Sequence, residues 1–216
     1  MQFDKKQAKL LSQTLFCTSS AFGFFSFGLF MSIIFMNNIL ALCVLIFGTL
    51  SLLGIVCLPF AAEKLACIWT FAGCIGYYAG VYCQMYGLVT SDIIFALLAT
   101  VFVGVSASIA AYISRELVAF YALMAGIASM FYVPMSIYYI FFGGNMMYLV
   151  LVSIAFVVSV VVFMIDTRKV MMEIQRGQPD VWILSIMMFE DLFDLFMQIA
   201  KLLIALKRSN EKKKNE

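Results

Sequence analysis

The chain has 216 residues, of which 64% are hydrophobic and 12% charged, with a mean hydropathy of +1.03 and a formal net charge of +2. Soluble domains carry about 25% charged residues, so this composition excludes a soluble protein and predicts an integral membrane protein. The small net charge gives no support for nucleic-acid binding. The absence of histidine excludes zinc sites and catalytic triads that depend on that residue.

Long runs without charged residues define the predicted membrane spans. These runs cover residues 13–62, 65–91, 93–114 and 117–165. A helix needs about 20 residues to cross the bilayer, so the first and last runs each hold two spans. The six spans are predicted at about 15–36, 39–61, 65–86, 93–113, 117–139 and 146–164. The hydrophilic segment 167–180 is interpreted as a link to a final apolar segment.

Small residues in two spans predict close helix packing. Ala72, Gly76 and Gly80 recur every four residues along the third span, which gives that helix a face without bulky side chains. The fifth span has a similar face and a proline that should kink it: Ala122, Gly126 and Pro134.

The last apolar segment, 181–206, has the length of a span but carries Glu190, Asp191 and Asp194 near its middle. An acid at a helix centre costs about 2.5–3.5 kcal/mol on insertion, while each Leu, Ile or Phe returns only about 0.3–0.6 kcal/mol. This helix is therefore a poor candidate for facing lipid. We expect an all-α integral membrane protein, a seven-helix bundle in which the last, acidic helix is central and surrounded by the other six. The expected organisation is a cytosolic N-terminal segment (1–14), a membrane domain (15–206) and a basic C-terminal tail (207–216).

The acids of this segment form a candidate ion-binding and pH-sensing gate. Asp194 lies four residues after Glu190 and three after Asp191, so the three acids fall within about one third of the helix circumference. Asp166, at the end of span six, is the fourth member if spans six and seven are antiparallel neighbours. Acids crowded at low dielectric cannot all ionise, and their oxygen atoms suit Ca²⁺. The alternative is that these acids cap helix ends or lie in the interfacial region.

Charged loops predict the orientation of the protein. The lysines and arginines of the loops all lie on the side of the N-terminus, which the positive-inside rule places in the cytosol. Seven complete spans would put the basic tail on the opposite side, against the same rule. The ending Lys213–Glu216 resembles a dilysine endoplasmic-reticulum retrieval signal, which is read from the cytosol. The last segment therefore either crosses the membrane or enters it and returns.

Several short motifs together resemble the Bax inhibitor family, also called the transmembrane Bax inhibitor motif group. The resemblance is strongest from about residue 91 to the end, and the first 60 residues agree only in pattern. The matching positions are Phe163–Thr167, Gly177, Asp180, Asp191–Phe196, Lys201–Leu206 and the lysine-rich tail, with Tyr112, Arg115 and Glu63–Leu65 as weaker support.

The resemblance implies a central seventh helix, Ca²⁺ leak from the endoplasmic reticulum and suppression of cell death. It also implies that Asp166 and Asp191 form the pH-sensitive pair and bind Ca²⁺ transiently. Asp194 stands where relatives often have a neutral residue. The second span lacks the basic residue that partners the aspartates in some relatives, so the candidate latch residues here are Lys64 and Arg168.

Two functions remain open at this point. The first is a pH-sensitive Ca²⁺ leak channel, and the second is a non-conducting membrane scaffold that binds Ca²⁺-handling or cell-death proteins. An intramembrane aspartyl protease is disfavoured because Asp191 lacks the Gly-x-Gly-Asp context, and a retinal protein because spans three and four contain no counter-ion. We therefore expect no enzyme and no cofactor, with Ca²⁺ as the permeating ion. The expected partners are Ca²⁺, protons, membrane lipids and cell-death regulators of the Bcl-2 type.

Overall fold

The computed structural model describes residues 4–113, 137, 145–177 and 179–215, and these residues form six long α-helices without a strand. The helices are α1 (Lys5–Ile34), α2 (Asn38–Cys57), α3 (Ala61–Met85), α4 (Thr90–Ile113), α5 (Asn145–Arg176) and α6 (Val181–Asn215). The all-α prediction is confirmed for these residues. The predicted fifth span, with Ala122, Gly126 and Pro134, lies outside the described residues apart from Ile137.

Five of these helices, α1 to α5, are long and apolar enough to cross a membrane. Their outward faces carry large apolar side chains such as Ile39, Phe102 and Ile113, each at least 74% exposed. Side chains of this kind are stable against lipid and not against water. The protein is therefore a multi-pass integral membrane protein. The acidic helix α6 is not among these five.

Two helices extend further than the hydropathy predicts. α1 begins at Lys5 because Asp4 caps it, and Asp4 and Gln7 form a reciprocal capping box. α5 continues past Asp166 to Arg176, so most of the segment interpreted as a link is the last part of this helix. A helix is free to continue beyond the bilayer, where hydropathy no longer identifies it.

The chain divides into two compact units, which we describe separately. Unit 1 comprises Met1–Thr90 and Val170–Glu190, and unit 2 comprises Ser91–Lys169 and Asp191–Glu216. Helices α5 and α6 each contribute residues to both units.

In unit 1, α1 and α3 pack with their backbones in contact. A Cβ atom at Gly76 would lie 2.0 Å from the carbonyl oxygen of Phe25, and one at Gly28 would lie 2.0 Å from that of Gly73. Only glycine permits this approach, which brings the two helices closer than side-chain packing would allow. The small face predicted on α3 is confirmed, since Ala72, Gly76 and Gly80 are all buried.

Helix α2 also packs on α3, through a narrow face. Its buried residues are Ala41, Gly48 and Ile55, which recur every seven residues. A Cβ atom at Gly48 would lie 2.9 Å from the Cβ atom of Cys74. Because the rest of α2 is largely exposed, this helix lies at the margin of unit 1.

The first turns of α6 are held in unit 1 by one aromatic ring and a few hydroxyl groups. Phe189 makes edge-to-face contacts with Phe25 and Phe71, at centroid distances of 6.1 and 6.0 Å. The Thr18 hydroxyl, which donates to the Thr14 carbonyl at 3.0 Å, also lies within hydrogen-bond distance of the Ser185 carbonyl at 3.3 Å. The Ser185 hydroxyl likewise shares its proton between the Val181 carbonyl at 2.7 Å and the Thr14 carbonyl at 3.3 Å. Hydroxyl bonds of this kind between membrane helices stabilise by about 0.6 kcal/mol on average.

We expect Ser185→Ala to destabilise the protein by about 1 kcal/mol, because the buried Thr14 carbonyl loses its interhelical donor. The midpoint of unfolding in mixed micelles measures this change. Thr70→Ala is a suitable control, since the Thr70 hydroxyl bonds only within its own helix. Equal midpoints for the two variants would contradict a joining role for Ser185.

Unit 2 contains α4 and the remaining parts of α5 and α6. A Cβ atom at Gly104 on α4 would lie 2.7 Å from Leu192 of α6, and Phe163 of α5 lies beside the same position. The Arg168 guanidinium donates to the Ala111 carbonyl at 3.3 Å, in the last turn of α4. The three helices therefore pack around one small residue.

Candidate functional site

The four acids predicted for the gate differ in their surroundings. Glu190 is exposed and is the last residue of unit 1. Asp194 is also exposed, whereas one carboxylate oxygen of Asp191 is fully shielded from solvent. The Asp166 side chain is only 14% exposed. Of the three predicted gate acids that belong to unit 2, Asp166 and Asp191 are therefore the two that are drawn away from solvent.

Asp194 connects two helices of unit 2. Its Oδ2 atom accepts a hydrogen bond from the buried Ser159 hydroxyl of α5 at 2.5 Å. A hydroxyl that donates to an ionised carboxylate forms a charge-assisted hydrogen bond. The buried Thr167 hydroxyl, also on α5, has no hydrogen-bond partner among the residues that the structure describes. The contact between α5 and α6 at Ser159 and Asp194 is therefore polar, and α5 buries a further hydroxyl at Thr167.

We expect Ser159→Ala to destabilise the protein by about 1–2 kcal/mol, because Asp194 keeps its charge and loses a charge-assisted bond. Thermal unfolding of the purified protein measures this loss. Adding Asp194→Asn to Ser159→Ala should restore part of the stability, since it removes the charge that the serine supports. Strictly additive effects of the two substitutions would show that the bond contributes nothing.

A basic neighbour of Asp166 was missed by the sequence reasoning. Lys169 Nζ lies 2.5 Å from Asp166 Oδ1, one helical turn further along α5, and its side chain is 56% exposed. The spacing of three residues would have indicated this pair if α5 had been predicted to continue past Asp166.

The two residues predicted as a latch occupy other positions. Lys64 is half-buried in the first turn of α3 and makes no ion pair with a described residue. Arg168 binds the Ala111 carbonyl, where its charge stabilises the C-terminal end of α4. Across residues 4–113, 145–177 and 179–215, no group of three or more acidic or cysteine side chains lies close enough to hold a metal ion. The transient two-residue site at Asp166 and Asp191 stays a prediction.

Comparison with known proteins places the chain in a family. The family described as "Inhibitor of apoptosis-promoting Bax1" matches residues 2–209, nearly the whole chain. No match was found among curated proteins. The match includes α1 to α5, α6 as far as residue 209 and all four predicted acids, and it agrees with the family that the motifs resemble. The chain therefore belongs to the Bax inhibitor family, a group of multi-pass membrane proteins related to cell death.

Proposed function

We propose that this protein is a pH-sensitive Ca²⁺ leak channel of the endoplasmic reticulum, which lowers stored Ca²⁺ and so suppresses cell death. In this proposal the N-terminus is cytosolic and the bundle has seven helices with α6 at its centre. Membership of the Bax inhibitor family and the one-sided distribution of loop lysines and arginines support it. The role is not enzymatic and needs no cofactor.

The observation that carries the proposal is the shielding of Asp166 and Asp191 within one unit of a membrane protein. Ionisable side chains among membrane helices are rare and typically mark ion or proton pathways. Carboxylate oxygens are the ligands that Ca²⁺ prefers. A site with only two carboxylate side chains binds Ca²⁺ weakly, and weak binding is what conduction requires.

The contact between Ser159 and Asp194 supports an estimate of the separation of the pair. Helices joined by a segment as short as 177–180 run antiparallel, as α5 and α6 would here. Asp166 lies seven residues after Ser159 on α5, and Asp191 lies three residues before Asp194 on α6. Because the helices are antiparallel, both displacements from the contact point the same way along the helix axes. At 1.5 Å per residue, they are offset by about 6 Å along the axes. In the proposal, a water molecule or a cation therefore bridges them.

Protons and Lys169 compete with the cation in this mechanism. Protonation of either aspartate removes a Ca²⁺ ligand, so acidification weakens Ca²⁺ binding. Lys169 already neutralises Asp166, and an arriving cation displaces it from the carboxylate. Exposed Asp194, in the same unit as the pair, attracts cations towards the pathway without binding them tightly.

Flux measurements on the purified protein test the proposal. The protein is reconstituted into liposomes that contain a Ca²⁺ indicator, and Ca²⁺ entry is recorded between pH 5 and pH 8. We expect entry above that of empty liposomes, and a Ca²⁺ concentration for half-maximal entry that rises as the pH falls. Absence of entry at every pH would overturn the channel. If the protein carries no Ca²⁺ flux, co-purification of Ca²⁺-handling or Bcl-2-type proteins with it would favour the scaffold.

A further inference from the structure

Two of the cavities in the described part of unit 1 differ in the hydrogen bonding of their polar side chains. The first, of about 510 Å³, lies among α1, α2 and α3. Each N–H or O–H donor of its lining aromatic and threonine side chains is already bonded within the chain. These bonds run from Trp69 Nε1 to Ser20 Oγ (2.9 Å), from the Tyr77 hydroxyl to the Phe35 carbonyl and from Thr70 Oγ1 to the Ala66 carbonyl (2.8 Å). This cavity offers a ligand little beyond an apolar wall.

The second cavity, of about 520 Å³, lies where the early turns of α1 meet the first turns of α3 and α6. Phe16 and Leu65 form part of its apolar wall. Ser12, Gln13 and Trp182 supply polar groups, and their side chains make no hydrogen bond with any described residue. The cavity therefore combines an apolar surface with free donors, within the size range of small-molecule sites.

Two lysines lie on the helix faces that line this second cavity. Lys9 is one turn before Ser12 and Gln13 on α1, and Lys64 is one turn after Ala61, a residue of the cavity wall, on α3. Neither lysine makes an ion pair with a described residue. Both positive charges are thus available to a ligand.

The acids of the same helix ends do not cancel this charge. The Asp4 side chain caps α1. The Asp180 side chain caps α6, where it accepts a hydrogen bond from the backbone N–H of Trp182 at 3.0 Å. Glu63 is exposed in the first turn of α3. Two of the three carboxylates thus face helix N-termini, and none of the three forms an ion pair with Lys9 or Lys64.

We propose that this cavity binds the phosphate-bearing headgroup of an anionic phospholipid. Lys9 and Lys64 bind the phosphate, while Ser12 and Gln13 donate to its oxygen atoms or to the headgroup. Trp182 lies beside the start of the acyl chains, at the depth where tryptophan is enriched in membrane proteins. Basic pockets between membrane helices bind anionic headgroups in this way. The leaflet is the cytosolic one if the proposed orientation holds, but binding itself does not depend on the proposed function.

Tryptophan fluorescence provides a direct test, because the chain has only two tryptophans and each lines a different cavity. In the Trp69→Phe variant, all emission comes from Trp182. The full-length variant is reconstituted in phosphatidylcholine vesicles and titrated with phosphatidylserine or phosphatidylcholine that carries brominated chains. We expect the anionic lipid to quench Trp182 about 25-fold more effectively, because each of the two lysines contributes about 1 kcal/mol, a factor of about five. The wild-type protein is titrated in parallel, so the contrast does not depend on the folding of Trp69→Phe.

Matched substitutions identify the lysines that carry the preference. Lys9→Gln and Lys64→Gln should each reduce it about fivefold, equal to about 1 kcal/mol per lysine near an anionic surface. Lys207→Gln, in the tail of α6, should leave it unchanged. In Trp182→Phe, the remaining Trp69 should be quenched equally by both lipids.

Three results would overturn the proposal. Equal quenching of Trp182 by the two brominated lipids would exclude a headgroup site. A preference unchanged in both lysine variants would exclude the assigned ligands. Displacement by millimolar inorganic phosphate would show that the cavity takes a free anion and not a lipid. No outcome depends on Ca²⁺ flux, so failure here and failure of the channel are distinguishable.

Discussion

Replacing Gly76 with alanine is expected to destabilise the protein by about 3 kcal/mol, at the upper end of the range for overpacked sites. The added Cβ atom would lie 2.0 Å from the carbonyl oxygen of Phe25 and 2.8 Å from its carbonyl carbon. These are backbone atoms of α1, so no side-chain rotation relieves the overlap and α1 must move away from α3. Separation of the two helices also weakens the contacts that Phe25 makes with Phe189. The midpoint of unfolding in mixed micelles, measured on the full chain, gives the effect.

Gly73 provides the matched control on the same helix. A Cβ atom there would meet only the carbonyl oxygen of Phe24, at an ordinary contact distance of 3.7 Å. Alanine favours a helix over glycine by about 1 kcal/mol, so Gly73→Ala should be neutral or slightly stabilising. Gly28→Ala should resemble Gly76→Ala, because its Cβ atom would lie 2.0 Å from the Gly73 carbonyl oxygen. Equal changes at positions 73 and 76 would contradict backbone contact as the cause of the loss, since helix propensity alone would make both variants more stable.

The small face of α3 could be predicted from the sequence, but its partner could not. The spacing of Ala72, Gly76 and Gly80 is a property of one helix and is visible in the residues alone. The identity of the helix that fits against it depends on how α1 and α3 meet, which no local pattern encodes. Gly28 and Ser32 show this: they are small residues four apart on α1, but the sequence does not indicate that they meet α3.

Helix ends were predicted poorly where hydropathy was used to define them. Hydropathy identifies the bilayer, and a helix may be longer than its membrane span. For α1, the signal was Asp4 followed three residues later by Gln7, a capping box. For α5, it was the helical spacing of Val170, Met171 and Ile174, all buried in unit 1.

The sequence was sufficient to select the acidic residues of the candidate site, but not to identify the residues that bind them. Asp166 and Asp191 were singled out by their position within or next to apolar spans and by family resemblance. The binding of Lys169 to Asp166 depends on the continuation of α5, and the binding of Ser159 to Asp194 depends on the register of two helices. Arg168 was selected for its charge alone, and its position beside α4 gives it a structural role at Ala111.

Replacing Asp191 with asparagine is expected to reduce Ca²⁺ entry into liposomes at least tenfold and to remove most of its dependence on pH. Asparagine keeps the shape of the side chain and removes both the charge and the titrating proton. Asp166→Asn should have a similar effect on entry, although it also releases Lys169, whose charge then repels cations. The measurement is the initial rate of Ca²⁺ entry between pH 5 and pH 8 at several Ca²⁺ concentrations.

Combining the two substitutions distinguishes a pair from two independent acids. If Asp166 and Asp191 bind one cation together, loss of either ligand abolishes the site, and the double variant should be little worse than either single variant. Two independent sites would instead give losses that multiply. Glu173→Gln is the matched control, because Glu173 lies on α5, as Asp166 does, but pairs with Arg176 at the end of that helix. A loss of entry in Glu173→Gln equal to that in Asp191→Asn would mean that net charge controls the rate. Unchanged entry and pH dependence in the double variant would remove both aspartates from the pathway.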